Sequence, residues 1–153
     1  MPVSMKIRMA ALDDAEAIAR SNVRLARESE NEELEYPTVL KGVRALLRDE
    51  RKGFYLVAVE EGALVGQAMV TFEWSDWRNR SIWWLQSVYV DKAWRRKGIF
   101  TALFEEVWLR AAKEGVGLLR LYVHGANRKA LEVYRRIGME KAPYSVHQMA
   151  LTR

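Results

Sequence analysis

A chain of 153 residues, half of them apolar and 29% charged, has the size and composition of one globular domain and excludes a disordered tail. It has no cysteine, which excludes a disulfide scaffold, a thiolate-held zinc or iron–sulfur site and a cysteine nucleophile. The 25 Lys and Arg exceed the 20 Asp and Glu by five, but acids and bases alternate through most of the chain, so a nucleic-acid face is not expected.

Lys6 to Met9 alternates charged and apolar residues and predicts a first strand within the mixed segment Met1 to Ala10. That segment lacks a secretory apolar core, and no run approaches the roughly 18 apolar residues of a membrane span, so the expectation is a cytoplasmic protein away from membranes. Asp13, with Glu16 three residues on, predicts a helix start, and Ala15, Ile18, Ala19, Val23 and Ala26 follow at helical spacing. The acid-rich stretch Glu28 to Glu35 ends that helix or continues it into a loop, Pro37 breaks it, and Thr38 can cap a second helix that Gly53 stops. Phe54 to Val59 and Leu64 to Phe72 read as a hairpin about Glu60, Glu61 and Gly62. Ser75 to Arg80 is a polar loop, and Ile82 to Val90 is a long strand rich in aromatic and β-branched residues. Lys97 to Lys113 is a helix, Leu118 to Val123 a strand, and Asn127 to Ile137 a short helix closed by Gly138. Met139 to Lys141 and Ser145 to Leu151 complete the pattern as two last strands around Pro143.

The order is β-α-α-β-β-β-α-β-α-β-β, with no repeat or linker, and prolines only at positions 2, 37 and 143. It predicts one α/β domain over residues 1–153, with a central mixed, mostly antiparallel sheet flanked by helices. The strand–helix–strand unit from 82 to 123 needs a crossover, so its strands should be parallel.

The richest segment runs from Val88, Tyr89 and Val90 through Asp91 to Arg95, Arg96, Lys97, Gly98, Ile99, Phe100 and Thr101. A strand ends, a basic turn with one glycine follows, and a helix begins. Helix N-termini leave backbone N–H groups unpaired and carry roughly +0.5 charge, which suits a phosphate. A Walker loop and a dinucleotide fingerprint both fail here: Gly98 is followed by Ile99, and no second or third glycine is near. The plainer alternative is a solvated basic helix start. Farther on, Asn127 and Tyr134 are seven residues apart, nearly two helical turns, so they share a face. A phenol there can act as a general acid, or Asn127 can simply cap the helix while Tyr134 packs its ring.

Taken together, Leu85-x-x-Val88-x-Val90, Arg95-Arg96-Lys97-Gly98-Ile99 and Asn127-x-x-Ala130-x-x-x-Tyr134-x-x-x-Gly138-Met139 resemble the GNAT superfamily of acyl-CoA-dependent N-acetyltransferases. The order of elements is similar over nearly the whole chain. The resemblance implies acetyl-CoA as co-substrate, with Val88 to Val90 offering backbone groups to pantetheine and Arg95 to Thr101 holding the pyrophosphate. It implies that Asn127 binds the pantetheine amide region and that Tyr134 protonates the leaving thiolate. Dimerisation is common in that family, so a homodimer is an open expectation. Two positions depart from the family pattern. Phe100 stands where a small residue is usual and must point into the protein. Gln86 and Ser87 stand where many members carry a glutamate base.

Only about 0.1% or less of an alkylamine is neutral at pH 7, so a base or a desolvating site is needed. Candidate acids are Glu28, Glu30, Glu32 and Glu33 after the first helix, and Glu73 at the end of the third strand. Glu30, Glu73 and Trp84 are the expected acceptor contacts. Trp74, Trp77, Trp83 and Trp84 either wall that site or pack on the sheet. His124 and His147 form no triad and no metal cluster, and no metal is expected. The acceptor is then a small-molecule or peptide amine, attacked through a ternary complex. The rival is a non-catalytic acyl-CoA sensor on the same fold.

Overall fold

In the computed structural model, residues 5–152 are described; they divide into a unit ending at Tyr122 and a unit beginning at Val123. In the first unit β1 (Lys6–Met9) is followed by α1 (Ala15–Glu30), α2 (Tyr36–Leu47), β2 (Gly53–Glu60), β3 (Ala63–Ser75), β4 (Arg80–Val90), α3 (Ile99–Lys113) and β5 (Leu118–Leu121). The second unit carries α4 (Arg128–Arg136). Pro2 and the expected strand residues before Met5 lie outside the described residues. The five strands lie in sequence order in one sheet. The first three pairings are antiparallel and β4 runs parallel to β5, as the helical crossover requires.

The sheet is covered on two sides. Leu56, Ala58, Val70, Trp83 and Leu85 face α3, whose buried stripe is Ile99, Leu103, Val107 and Ala111. That four-residue spacing keeps the stripe on one helix face. Tyr55 and Val57 face the other way, onto Ala15, Ile18 and Ala19 of α1 and Val43 and Leu46 of α2. Alternate residues of β2 therefore belong to different cores, as strand geometry demands.

Several local expectations change. Asp14, not Asp13, organises the start of α1: its Oδ2 accepts the Ala11 N–H at 2.7 Å and its carboxylate holds Arg8 at 2.8 and 3.0 Å. Pro37 does not break the chain but sits in the first turn of α2, where its missing N–H has no intrahelical acceptor to lose. Thr38 is accordingly inside the helix. β3 and β4 extend into the expected loop until Ser75 pairs with Arg80, leaving residues 76–79 as the turn.

The two last strands, 139–141 and 145–151, are not formed. A strand exists only as part of a ladder, and no strand among the described residues takes up these backbone groups. Pro143 also has no N–H to contribute. Tyr144, Val146, Met149 and Leu151 are exposed.

Gly66 on β3 lets α3 approach. A Cβ there would lie 2.9 Å from Cγ2 of Ile99, the buried first residue of that helix. Gly66→Val should therefore lower stability by about 1–3 kcal/mol through overpacking. In urea the midpoint should fall while the slope stays unchanged.

Candidate functional site

The site begins with a defect in β4. From Gln67 to Met69, β3 advances two residues while β4 goes from Tyr89 to Gln86, three. The extra residue is a β-bulge around Ser87, which takes φ +50°. Gln86 and Tyr89 would face opposite sides of a regular strand because their separation is odd. Across the bulge both share a face with their cross-strand partners Met69 and Gln67. Met69 belongs to the layer beneath α1 and α2, whereas Val88 and Val90 pack into the layer beneath α3.

A buried polar chain holds the bulge. Gln67 is fully buried, and its Nε2 donates to Asn22 Oδ1 at 2.7 Å and to the Ser87 carbonyl at 3.1 Å. Asn22 Nδ2 donates to the Tyr55 hydroxyl at 3.1 Å. Burial pushes the Tyr55 phenol up, and hydrogen bonds with Asn22 and Ser87 only partly offset it, so the ring stays neutral. Gln67 Oε1 is buried without a protein partner. The sequence carried one unread signal of this network, a glutamine inside the apolar run Leu64 to Val70.

Beyond the bulge β4 has an open side. β5 pairs with Ile82 to Leu85 only, through Leu118 to Leu121. Among the described residues no strand continues that ladder along residues 86–90. Their peptide groups on that side can accept a strand-like ligand.

The open edge runs into the basic turn. The Asp91 N–H donates to Val65 C=O at 2.9 Å, a 3-10 turn spans Lys92–Trp94, and α3 begins at Ile99. The first intrahelical bond is Ala102 N–H to Gly98 C=O at 3.0 Å, so the N–H groups of Ile99 and Thr101 have no acceptor within the helix. Gly98 has φ +80°, and a Cβ added to it would meet nothing within 4 Å. Its backbone conformation, rather than crowding, is what calls for glycine. Arg96 and Lys97 are exposed, and Lys97 Nζ stands 6.0 Å over the Trp94 ring. Phe100 is half-buried with its ring 6.2 Å from Phe104, consistent with a side chain directed into the protein.

Arg95 is held against β4 and α1. Its Nε donates to Val90 C=O at 2.9 Å, its Nη2 to Glu28 Oε1 at 2.7 Å, and its guanidinium lies 5.4 Å from the Tyr89 ring centre. The buried Tyr89 hydroxyl donates to Glu28 Oε2. Burial, that bond and the Glu28 charge push Tyr89 up to about 12. Burial alone would raise the Glu28 carboxyl, but Tyr89, Arg95 and Lys92 outweigh it and hold it below the usual carboxylate value.

A second cluster lies on the same face as Gln86. Thr71 is the cross-strand partner of Trp84, and Arg120 is the β5 neighbour of Trp84. Gln86 Nε2 donates to Thr71 Oγ1 at 2.6 Å, and Trp84 Nε1 donates to Glu73 Oε1 at 2.8 Å. Arg120 approaches Glu73 Oε2 at 3.4 Å, and Tyr122 stacks on Trp84 at 4.5 Å. Thus Glu73 and Trp84, both expected from sequence, come together, joined by Arg120 and Tyr122, which sequence reasoning missed. The four tryptophans do not form one wall. Trp83 is buried under α3, Trp74 is 63% exposed on that same side, Trp84 faces the other way, and Trp77 in the turn is 90% exposed. Glu30 ends α1 in solvent, and Glu33 pairs with Arg27 at 2.8 Å.

In the second unit Asn127 caps α4, its Oδ1 accepting the Ala130 N–H at 3.1 Å. Tyr134 is half-buried, and burial raises its phenol above the ordinary value. His124 lies in a loop, with Nδ1 accepting the Ala126 N–H at 3.2 Å.

Residues 12–139 match the model of the acetyltransferase (GNAT) family. An uncharacterised N-acetyltransferase of Methanocaldococcus jannaschii is 31% identical over 97 residues, 63% of this chain and 42% of that protein. A thialysine N-epsilon-acetyltransferase of Bos taurus is 31% identical over 77 residues, 50% of this chain and 45% of that protein. The chain thus spans less than half the length of these curated relatives. The crystal structure of a possible acetyltransferase from Clostridium difficile 630 has a TM-score of 0.92 and 43% identity, covering 97% of this chain and 99% of that one.

The buried chain beneath the bulge makes a direct prediction. Gln67→Leu strands the Ser87 carbonyl and Asn22 Oδ1 without their donor. It should cost about 1–3 kcal/mol in chemical denaturation, the range for buried groups left unpaired.

Proposed function

Because the chain belongs to the acetyltransferase (GNAT) family, we propose that it transfers an acetyl group from acetyl-CoA to a primary amine of a small molecule or peptide. Both substrates are bound when the amine attacks. The observation that carries this reading is the open edge of β4 at 86–90, which leads into the turn before α3. An amide-bearing arm can add to Val88, Tyr89 and Val90 as a short strand. Arg96, Lys97, Gly98, Ile99, Phe100 and Thr101 would then receive the pyrophosphate through backbone N–H groups and positive charge, with Arg95 shaping the turn. Asn127 Oδ1 is engaged by its own helix, so its Nδ2 is the part we assign to the pantetheine amide region.

In the reaction the neutral amine nitrogen bonds to the thioester carbonyl carbon and the C–S bond breaks. The Tyr134 phenol gives its proton to the departing sulfur, the amine loses one to water, and Tyr134 regains its own. The phenol carries its proton at neutral pH, as a general acid must, and the burial that raises it holds that proton more firmly until the sulfur departs. Neither Glu28 nor Glu73 is well suited to take the amine proton directly. Gln86 is an amide, and Glu28 is committed to Tyr89 and Arg95. Glu73 is opposite Ile82, five residues before Ser87, about 16 Å along the strand at roughly 3.3 Å per residue.

We assign Glu73, Trp84 and Glu30 to the acceptor, with Arg120 and Tyr122 supporting the first two. A carboxylate beside an indole face suits a cationic substrate before it loses its proton. Thialysine, on whose Nε the bovine relative acts by name, heads the panel of amines to screen. The proposal is for one domain in the cytoplasm. No helix among the described residues is long and apolar enough to cross a membrane. Gln86 in place of a strand glutamate favours the second reading, an acyl-CoA sensor without turnover.

Calorimetry with acetyl-CoA tests the foundation. Wild type should bind, and folded Gly98→Glu, which puts a carboxylate at the anion site, should not; a wild type that ignores acetyl-CoA removes both readings. Tyr134→Phe should keep acetyl-CoA binding and lose about 10²–10⁴-fold in kcat. Equal turnover would end its role as acid, and wild-type binding without turnover on any amine would leave the sensor. With no carboxylate base, kcat/KM should rise about tenfold per pH unit from pH 6 to 9, following the neutral amine. It should fall again only above pH 10, where the raised Tyr134 phenol ionises, and Tyr134→Phe should lack that fall.

A further inference from the structure

We propose that Glu28 is a positioning residue for the coenzyme turn, clamping Arg95 against Tyr89 and α1 so that the N–H groups before α3 are presented to the pyrophosphate. The inference rests on reading that turn as the coenzyme site.

The contacts converge on one carboxylate. Glu28 Oε1 takes Arg95 Nη2 at 2.7 Å, while Oε2 takes the hydroxyl of Tyr89, a residue only 5% exposed. Arg95 is also fixed by the Val90 carbonyl at 2.9 Å and by the Tyr89 ring beneath it. The guanidinium that opens the basic motif therefore directs its Nε and an Nη2 hydrogen to the protein. One helical turn earlier on α1, Arg24 meets Asp91 at 3.6 Å. The two ion pairs have opposite polarity, Arg24 with Asp91 and Glu28 with Arg95. Sliding α1 by one turn would set Arg24 against Arg95 or Glu28 against Asp91, so the pairs specify a single register. A surface ion pair is ordinarily worth little. This one differs because a buried phenol and a backbone carbonyl tie both partners down.

The turn needs such support. Arg96 holds φ +64° and Gly98 φ +80°. A left-handed conformation in a residue with a side chain persists only where its surroundings enforce it. Asp91 and Arg95 bracket the start of that segment, and both are anchored to α1. Without the bulge the Tyr89 side chain would not face α1, and Glu28 would have only Arg95 to hold.

The variants are Glu28→Gln, which keeps the size and removes the charge, and Tyr89→Phe, which removes only the phenol bond. In calorimetry Glu28→Gln should weaken acetyl-CoA binding by about tenfold or more, as expected for loss of a charge-assisted hydrogen bond. Tyr89→Phe should weaken it less, in the same direction. In kinetics the change should fall on KM for acetyl-CoA rather than on kcat or the KM for the amine. Glu28→Gln combined with Arg95→Met should be no worse than Arg95→Met alone, because the two residues act as one device. Tighter binding in Glu28→Gln would overturn the proposal, making Arg95 a phosphate ligand that Glu28 withholds. Unchanged binding in both single variants would overturn it too, leaving a plain surface pair. A wild type that does not bind acetyl-CoA defeats the functional reading instead, and the two failures are distinct.

Discussion

The extra residue in β4 is the constraint on which the rest of this structure depends. A regular strand has a strict period of two, so every side chain past a given point is committed to one face. The bulge at Ser87 resets that commitment once, between Gln86 and Tyr89. Before it, Trp83 and Leu85 face α3 and Trp84 faces away. After it, Val88 and Val90 face α3 while Tyr89 turns to α1. The same region is where β5 stops. A strand that changes phase as it loses a neighbour leaves a short run of peptide groups next to ordered side chains, which suits capture of an extended ligand.

Holding such a defect inside a core has a cost that polar groups must meet. A bulge leaves ladder groups unpaired, and in an apolar interior an unpaired carbonyl is expensive. Gln67 answers this by donating to the Ser87 carbonyl, and Asn22 and Tyr55 extend the support to α1 and β2. Helix α1 is therefore tied to β4 twice, through neutral amides beneath the bulge and through Arg24 and Glu28 at the turn. The first tie is insensitive to salt and pH near neutrality. The second is made of ions at the surface and stays intact until the medium is acidic enough to protonate Glu28, below its ordinary range. Charge at the turn is consequently divided. Arg95 is neutralised locally, and Arg96 and Lys97 remain on the exposed rim.

The acceptor candidates show how far residue chemistry reads without geometry. Glu73 and Trp84 attract attention in the sequence as an acid and an aromatic near one another, and strand pairing joins them through the indole N–H. Arg120 and Tyr122 carry no such mark. They belong to the cluster only because the parallel register sets Arg120 beside Trp84. Conversely, the four tryptophans look like a wall in the sequence, but alternation sends them to opposite faces and one into a turn.

By itself the sequence determined the order of elements through α4, the mixed sheet, the basic turn with its glycine, and Asn127 as the cap of α4. Each of these is encoded by periodicity or by a contiguous motif, which local chemistry is enough to read. It overreached at the C-terminus, because a strand forms only where a neighbouring strand supplies a ladder, and no strand among the described residues pairs with residues 139–152. Only the tertiary structure decided that Glu28 meets Tyr89 and Arg95 and that Gln67 supports Ser87. Those pairs are 20 to 67 residues apart in the chain. Contacts at that separation depend on strand register, and a single inserted residue in β4 changes which side chains face each other.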